Sequence, residues 1–158
     1  MIIFDLETTG FSPKKEDIIE VSALKFRGLK FQEEFQQLLQ PSKPLPSIIK
    51  QLTGLLDEDL AYCPTFSDIS RSLFKFMKGH RIIGYNVSFD KSFLVANDPV
   101  FDCLEYQDYL KYVKGLDYEL PNYKMRTVAE YMGIRIHPIH RAYEDTRTLF
   151  ELIKRLGV

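Results

Sequence analysis

Met1-Ile2-Ile3-Phe4-Asp5-Leu6-Glu7-Thr8-Thr9-Gly10 opens the chain. Met1 to Glu7 reads as a β-strand, and Thr8-Thr9-Gly10 as the turn that ends it. Residues two apart on a strand share a face. Ile3, Asp5 and Glu7 therefore lie on one side, and Ile2, Phe4 and Leu6 on the other. Apolar residues on both sides suit a strand inside a sheet rather than at its edge. Two same-face carboxylates there stand about 6–7 Å apart. At an effective dielectric of about 20 they repel by roughly 2–3 kcal/mol. A divalent cation between them reverses that sign, and hard oxygen ligands select Mg²⁺ or Mn²⁺. A pair that faces solvent or caps a turn is an equally good reading of these residues alone.

Working outward, a second strand is expected over Ile18 to Phe26. Arg27-Gly28 turns into a third, Leu29 to Leu39, and such short links favour an antiparallel meander. Pro41, Pro44 and Pro46 break the pattern. Helical spacing follows at Ile48, Ile49 and Leu52, up to Gly54. A longer helix runs from Phe66 to Met77, with Phe66, Ile69, Leu73 and Phe76 at three- and four-residue steps. Arg81 to Tyr85 reads as a short strand, and a helix from Ser88 stops before Pro99. A weak strand is expected near Cys103 to Tyr106. Helices follow over Asp108 to Val113, Lys124 to Met132 and His140 to Leu156. Strands first, then helices alternating with single strands, predict an α/β domain: a mixed sheet whose first three strands are antiparallel, flanked by helices.

The 158 residues make one domain, 1–158, without linker or repeat. Hydrophobic residues are 45% and charged residues 27%, which suits a soluble core and excludes disorder. No apolar run approaches the roughly 20 residues of a membrane helix, so no membrane partner is expected. No basic segment precedes Asp5, so no signal peptide and a cytoplasmic location are expected. With 21 basic and 22 acidic residues the net charge is −1, unlike a bulk electrostatic nucleic-acid binder. An enzyme that grips a few nucleotides at an acidic site remains allowed. Cys63 and Cys103 make neither a disulfide framework nor a zinc cluster.

Two further carboxylates sit on stripes that should point inward. Asp90 shares a helical face with Phe93 and Leu94. A carboxylate there needs a partner or a metal, although a first-turn acid also favours the helix dipole and by itself explains the residue. Asp145 interrupts the stripe Ala142, Leu149, Leu152 and Leu156. His140 lies five residues earlier, where a lone histidine is ordinarily a capping or packing residue. Four acids at strand ends and helix starts make joint sense around two divalent metals, with a histidine near the water to take its proton.

These residues fall into three ordered motifs. Asp5-Leu6-Glu7-Thr8-Thr9-Gly10 resembles the first motif of the DEDD-type 3′–5′ exonucleases. Asn86-Val87-Ser88-Phe89-Asp90 with Phe93-Leu94 resembles the second. His140-Arg141-Ala142-Tyr143-Glu144-Asp145 resembles the third in its histidine form, DEDDh. Order and spacing are similar to the branch that holds the proofreading epsilon subunit of bacterial DNA polymerase III and ribonuclease T. Ile48 to Leu60 and Lys124 to Ile134 also resemble that branch's intervening helices, so the likeness covers essentially the whole chain.

The resemblance implies a ribonuclease H-like fold with five strands and two Mg²⁺ or Mn²⁺ ions. It implies that Asp5, Glu7, Asp90 and Asp145 hold the metals, with Asp5 between them, and that His140 is the general base. Thr8, Thr9 and Phe11 would hold the 3′-terminal nucleotide, with Asn86 and Phe89 beside them. The expected reaction is hydrolysis of the terminal phosphodiester of single-stranded or frayed DNA to nucleoside monophosphates, in proofreading or repair. Trimming of RNA ends is the alternative. A DNA polymerase catalytic subunit is a candidate partner; epsilon carries a C-terminal tail for it, whereas this sequence stops at Val158, so independent action, docking on the domain itself, or a sequence that is one piece of a longer protein are the three expectations. Lys14, Lys15, Lys91, Lys124 and Arg141 are candidate phosphate contacts, although a solvated surface charge is the readier reading of each. A phosphatase with Asp5 as nucleophile leaves His140 and Asp145 unexplained. A non-enzymatic interaction module predicts missing acids, and none is missing.

Overall fold

The computed structural model describes residues 1–158. Five strands form one sheet in the order β3-β2-β1-β4-β5. The strands are β1 (Ile2–Thr8), β2 (Ile18–Arg27), β3 (Lys30–Leu38), β4 (Ile82–Gly84) and β5 (Tyr106–Asp108). β1 to β3 form the expected antiparallel meander. β4 joins β1 in parallel, and β5 joins β4 in parallel. β1 is thus central, as its two apolar faces require. It also lies one residue later than read from the sequence: Thr8 ends the strand, with a bulge between Glu7 and Thr8.

The helices are α1 (Ser47–Thr53), α2 (Asp57–Leu60), α3 (Phe66–Met77), α4 (Ser88–Asn97), α5 (Tyr109–Lys114), α6 (Met125–Tyr131) and α7 (Ala142–Leu156). They cover both faces of the sheet. On one, Ile2, Phe4 and Leu6 of β1 pack with Leu73 and Met77 of α3 and Phe93 and Leu94 of α4. On the other, Ile3, Leu24 and Ile83 pack with Tyr109, Val113, Val128, Leu149 and Leu152 of α5, α6 and α7. Asp68 holds the start of α3 by accepting the Thr65 N–H at 2.8 Å and the Thr65 hydroxyl at 2.7 Å. Each such bond to a helix-end donor is worth about 1 kcal/mol.

Three segments differ from expectation. The strand expected at Cys103 to Tyr106 is displaced: Pro99–Cys103 is a 3₁₀ turn, and β5 starts at Tyr106. Pro99 at its first position and Asp98, which accepts the Val100 N–H at 3.1 Å, nucleate that turn. The last helix starts at Ala142, leaving His140 in the loop before it. α2 escapes a periodicity reading because four residues make only one turn. No helix is long and apolar enough to cross a membrane.

Gly84 fixes how β4 feeds α4. A Cβ there would lie 2.7 Å from Val87 Cγ2 and 3.1 Å from the Phe4 carbonyl oxygen. Only glycine lets β4 approach β1 this closely. That approach brings the first turn of α4 over the end of β1.

Candidate active site

Directly paired antiparallel residues project to the same face. Asp5 pairs with Ser22, and Glu7 with Glu20. Four polar side chains therefore share one patch of the sheet, under the start of α7. The same face turns apolar further along, where Ile3 pairs with Leu24 under Leu149 and Leu152. Ser22 meets Thr146 of α7 at 2.8 Å. Asp145, next to Thr146, joins Glu7 and His140 in a group whose ligand atoms all lie within 4.8 Å of one another. Hard oxygens with one imidazole suit a divalent cation.

Asp90 arrives from the other side. It is 3% exposed, and its Oδ1 accepts the Leu6 N–H at 3.1 Å. This bond ties the first turn of α4 to the backbone between Asp5 and Glu7. The four acids expected from sequence thus converge, although they lie 140 positions apart at the extremes.

Their electrostatics are unfavourable without a cation. Lost hydration first, then the charges of Asp90, Asp145, Glu7 and Glu20, raise the Asp5 pKa well above its ordinary value. Glu7 is pushed up to about 8, by lost hydration and then by Asp145, with His140 opposing. Asp90 is also pushed up to about 8 by burial, against the Leu6 hydrogen bond. Each of these carboxyls favours its protonated form until positive charge arrives.

His140 is held by its backbone. Its N–H donates to the Leu52 carbonyl at 2.8 Å, while its side chain is 52% exposed. Nδ1 lies 3.6 Å from Asp145 Oδ2, and contact with Asp145 raises the imidazole pKa. A proton is thereby favoured on Nδ1, leaving Nε2 able to accept another.

A cleft of about 840 Å³ opens from His140 and Asp145. Phe11 and Asn86 line it, as the sequence suggested, together with Tyr85, Tyr123, Lys114, Lys124 and Arg126. Phe11 is 91% exposed and meets Phe89 edge-on, with ring centroids 6.4 Å apart. Phe89 therefore stands behind Phe11 rather than in the cleft. Asn86 adopts φ 62°, with its N–H donating to Asp108 at 2.9 Å. The side chains of Thr8 and Thr9 are held by the turn itself. The Thr8 hydroxyl donates to the Gly10 carbonyl at 2.7 Å, and that of Thr9 to Glu16 at 2.8 Å. Both hydroxyl protons are engaged in shaping the turn that presents Phe11.

The candidate phosphate contacts divide as well. Lys124 lines the cleft, and Lys14 and Lys15 do not. Lys91 is paired with Asp102 at 2.8 Å. Arg141 is clamped by Glu20, Nε to Oε2 at 2.9 Å and Nη2 to Oε1 at 3.1 Å. Glu20 is the residue that sequence reading passed over. It is 4% exposed, and Ile18–Phe26 reads as an apolar strand in which one acid is easily discounted. A two-residue step puts Glu20 on one face with Ser22, but serine carries no charge and sets up no carboxylate repulsion.

A family model described as exonuclease (RNase_T) matches residues 2–153. PolC-type DNA polymerase III of Bacillus subtilis is 31% identical over 167 residues, covering 98% of this chain and 11% of the polymerase. The PolC-type enzyme of Caldanaerobacter subterraneus is 30% identical over 164 residues, again 98% and 11%. The chain thus spans about a tenth of the length of these curated relatives. Among solved structures, Exonuclease X in complex with 5′ overhanging duplex DNA aligns with a TM-score of 0.73 at 18% identity, over 99% of this chain and 93% of that one. E. coli Exonuclease I in complex with a dT13 oligonucleotide gives 0.86 at 16% identity, over 99% and 40%. These two likenesses support the fold alone, a mixed five-stranded sheet flanked by helices.

Proposed function

The chain belongs to the RNase_T exonuclease family, and from that premise we propose that it is a 3′–5′ exonuclease releasing nucleoside monophosphates from single-stranded or frayed DNA. Asp5, Glu7, Asp90 and Asp145 would hold two divalent cations, Mg²⁺ or Mn²⁺. The observation that carries the reading is the meeting of these acids with His140 at the head of one cleft. The donor set fits such ions. Its oxygens are hard, and burial and mutual repulsion leave the carboxyls short of positive charge. Bound there, the cations supply water activation and neutralise the charge that builds on the leaving 3′ oxygen.

The chain's own residues do the rest. His140 Nε2 takes the proton of the attacking water, while Asp145 holds the ring and stabilises its charged form. The water's oxygen bonds to phosphorus, the bond to the 3′ oxygen of the preceding nucleotide breaks, and that oxygen takes up a proton as a free hydroxyl. Phe11, steadied by Phe89, offers a face on which the terminal base stacks. Asn86 lies at the same rim.

The cleft wall supports a nucleic-acid strand despite the net charge of −1. Lys114, Lys124 and Arg126 line it, interleaved with Tyr85 and Tyr123, and Asp145 is the one carboxylate among its lining residues. Basic and aromatic side chains in alternation suit a single strand. DNA is favoured over RNA because relatives of 30% and 31% identity are DNA polymerases. The same likeness supports action on primer ends beside a polymerase active site.

The test is a 5′-labelled single-stranded DNA oligonucleotide incubated with Mn²⁺, beside Asp5→Ala and EDTA controls. A ladder shortening from the 3′ end, absent in both controls, is the expected result. Intact DNA beside shortened RNA would overturn the DNA assignment, and both intact would overturn the activity.

A further inference from the structure

Arg141 is an unusual residue to stand at a helix N-cap. It has no acceptor to offer the orphan N–H groups there, and its side chain makes no capping bond. The acceptor comes instead from β2. Glu20 Oε2 takes the Ala142 N–H at 3.2 Å while the same carboxylate holds the Arg141 guanidinium at two points. Glu20 is thus a cap supplied from 122 residues away, through the sheet. The loop it anchors has few other supports. Next to it, the His140 backbone N–H makes a single bond, to Leu52, and its half-exposed ring has Asp145 at 3.6 Å and Glu7 within 4.8 Å.

We infer that Glu20 is a positioning residue for His140: the Glu20–Arg141 clamp and the Leu52 carbonyl grip the backbone on either side of the imidazole and hold Nε2 where the reaction needs it. This rests on the exonuclease reading, since it assigns the means by which that site keeps its general base in place. The arrangement suits the task. A base on an exposed side chain must be held by its backbone, and a misplacement of about 1 Å is worth about 10² in rate. A bidentate arginine–carboxylate pair fixes direction as well as distance. The pair is also the side of the clamp that tolerates change. Arg141 is about one-third exposed, so it can be hydrated when Glu20 loses its charge.

The experiment is a double-mutant cycle with Glu20→Gln and His140→Ala, measured with the labelled oligonucleotide and Mn²⁺. Glu20→Gln alone is expected to lower kcat at least tenfold with KM within twofold. In the His140→Ala background it should change kcat by less than threefold, because the group it positions is gone. The Mn²⁺-induced rise in melting temperature should persist in both. An equal loss in both backgrounds, or unchanged kcat in the first, would overturn the inference. Arg141→Lys, which keeps the charge and loses the fork, should reproduce the pattern if Glu20→Gln fails to fold. A readout independent of activity separates this inference from the exonuclease reading. The chain has three histidines. In the metal-free protein Glu20→Gln should broaden the His140 ring resonances by exchange and leave those of His80 unchanged. Sharp, unshifted His140 resonances would overturn it even if the protein cleaved no nucleic acid.

Discussion

Replacing Asp90 by asparagine should stabilise the metal-free protein while abolishing its activity. Asn keeps the shape and the acceptor for the Leu6 N–H but cannot ionise. In the folded protein the Asp90 carboxyl titrates near 8, against an ordinary 3.8. Its contribution to stability is therefore full below the ordinary value and is lost as pH climbs towards about 8. At pH 7 the unfolded chain gains roughly 4 kcal/mol by ionising this group and the folded chain almost nothing, at 1.36 kcal/mol per unit. Water entry and an effective dielectric of about 20 bring this ceiling down to about 2 kcal/mol. For a chain of this length that is about 4–8 °C in melting temperature. The assay is urea unfolding in EDTA at pH 5 and pH 8. The variant should gain about 1 kcal/mol at pH 5 and about 2–3 kcal/mol at pH 8. A variant no more stable than the parent at pH 8, or a gain independent of pH, would refute the claim that an unneutralised carboxylate is buried there.

His140→Ala should lower the rate by about 10²–10⁴ and leave the Mn²⁺-induced rise in melting temperature largely intact; undiminished cleavage would remove His140 from the reaction. Millimolar Mn²⁺ should itself raise stability, by about 2.7 kcal/mol at a hundred times its dissociation constant, and no shift in a thermal melt would contradict a metal site. Lys124→Ala and Arg126→Ala should each raise KM and reduce the salt dependence of binding by about 0.7 in log–log slope if each meets one phosphate of a single strand. Gly84→Ala should destabilise by about 1–3 kcal/mol, since the Phe4 carbonyl it would crowd cannot move aside; an unchanged urea midpoint would show that β4 and α4 have room to shift.

The acids were readable where periodicity gave them a face. Asp5 and Glu7 stood out because a two-residue period puts both on one side of an apolar strand. Asp90 and Asp145 stood out because each interrupts an apolar helical stripe. Their meeting was not readable from periodicity, because it depends on β4 lying parallel beside β1, and local patterns do not say which strands become neighbours. The three-motif resemblance supplied that step. Glu20 was missed for the complementary reason: its partner Arg141 is 121 residues away, so nothing local distinguishes it from a stray charge. Arg141 reads from sequence as a surface charge or a candidate phosphate contact, because its place beside His140 carries no information on where its guanidinium turns. The motif assigns Thr8 and Thr9 to the nucleotide, and it does not specify the bonds their hydroxyls make within the turn.

The bond from the Leu6 N–H to Asp90 closes 84 residues of chain. Asp145 is brought in by a helix that completes the fold from its other end. Contacts of such sequence separation form slowly, after chain-closure entropy has been met. Until then the acids are scattered along an open polymer, and no cluster exists to attract a cation. Divalent ions should therefore act on the exit from the folded state rather than on the approach to it. In a chevron plot, added Mn²⁺ should depress the unfolding limb and leave the refolding limb nearly where it was. The chemistry at the head of the cleft thus doubles as a kinetic latch on the sheet that built it.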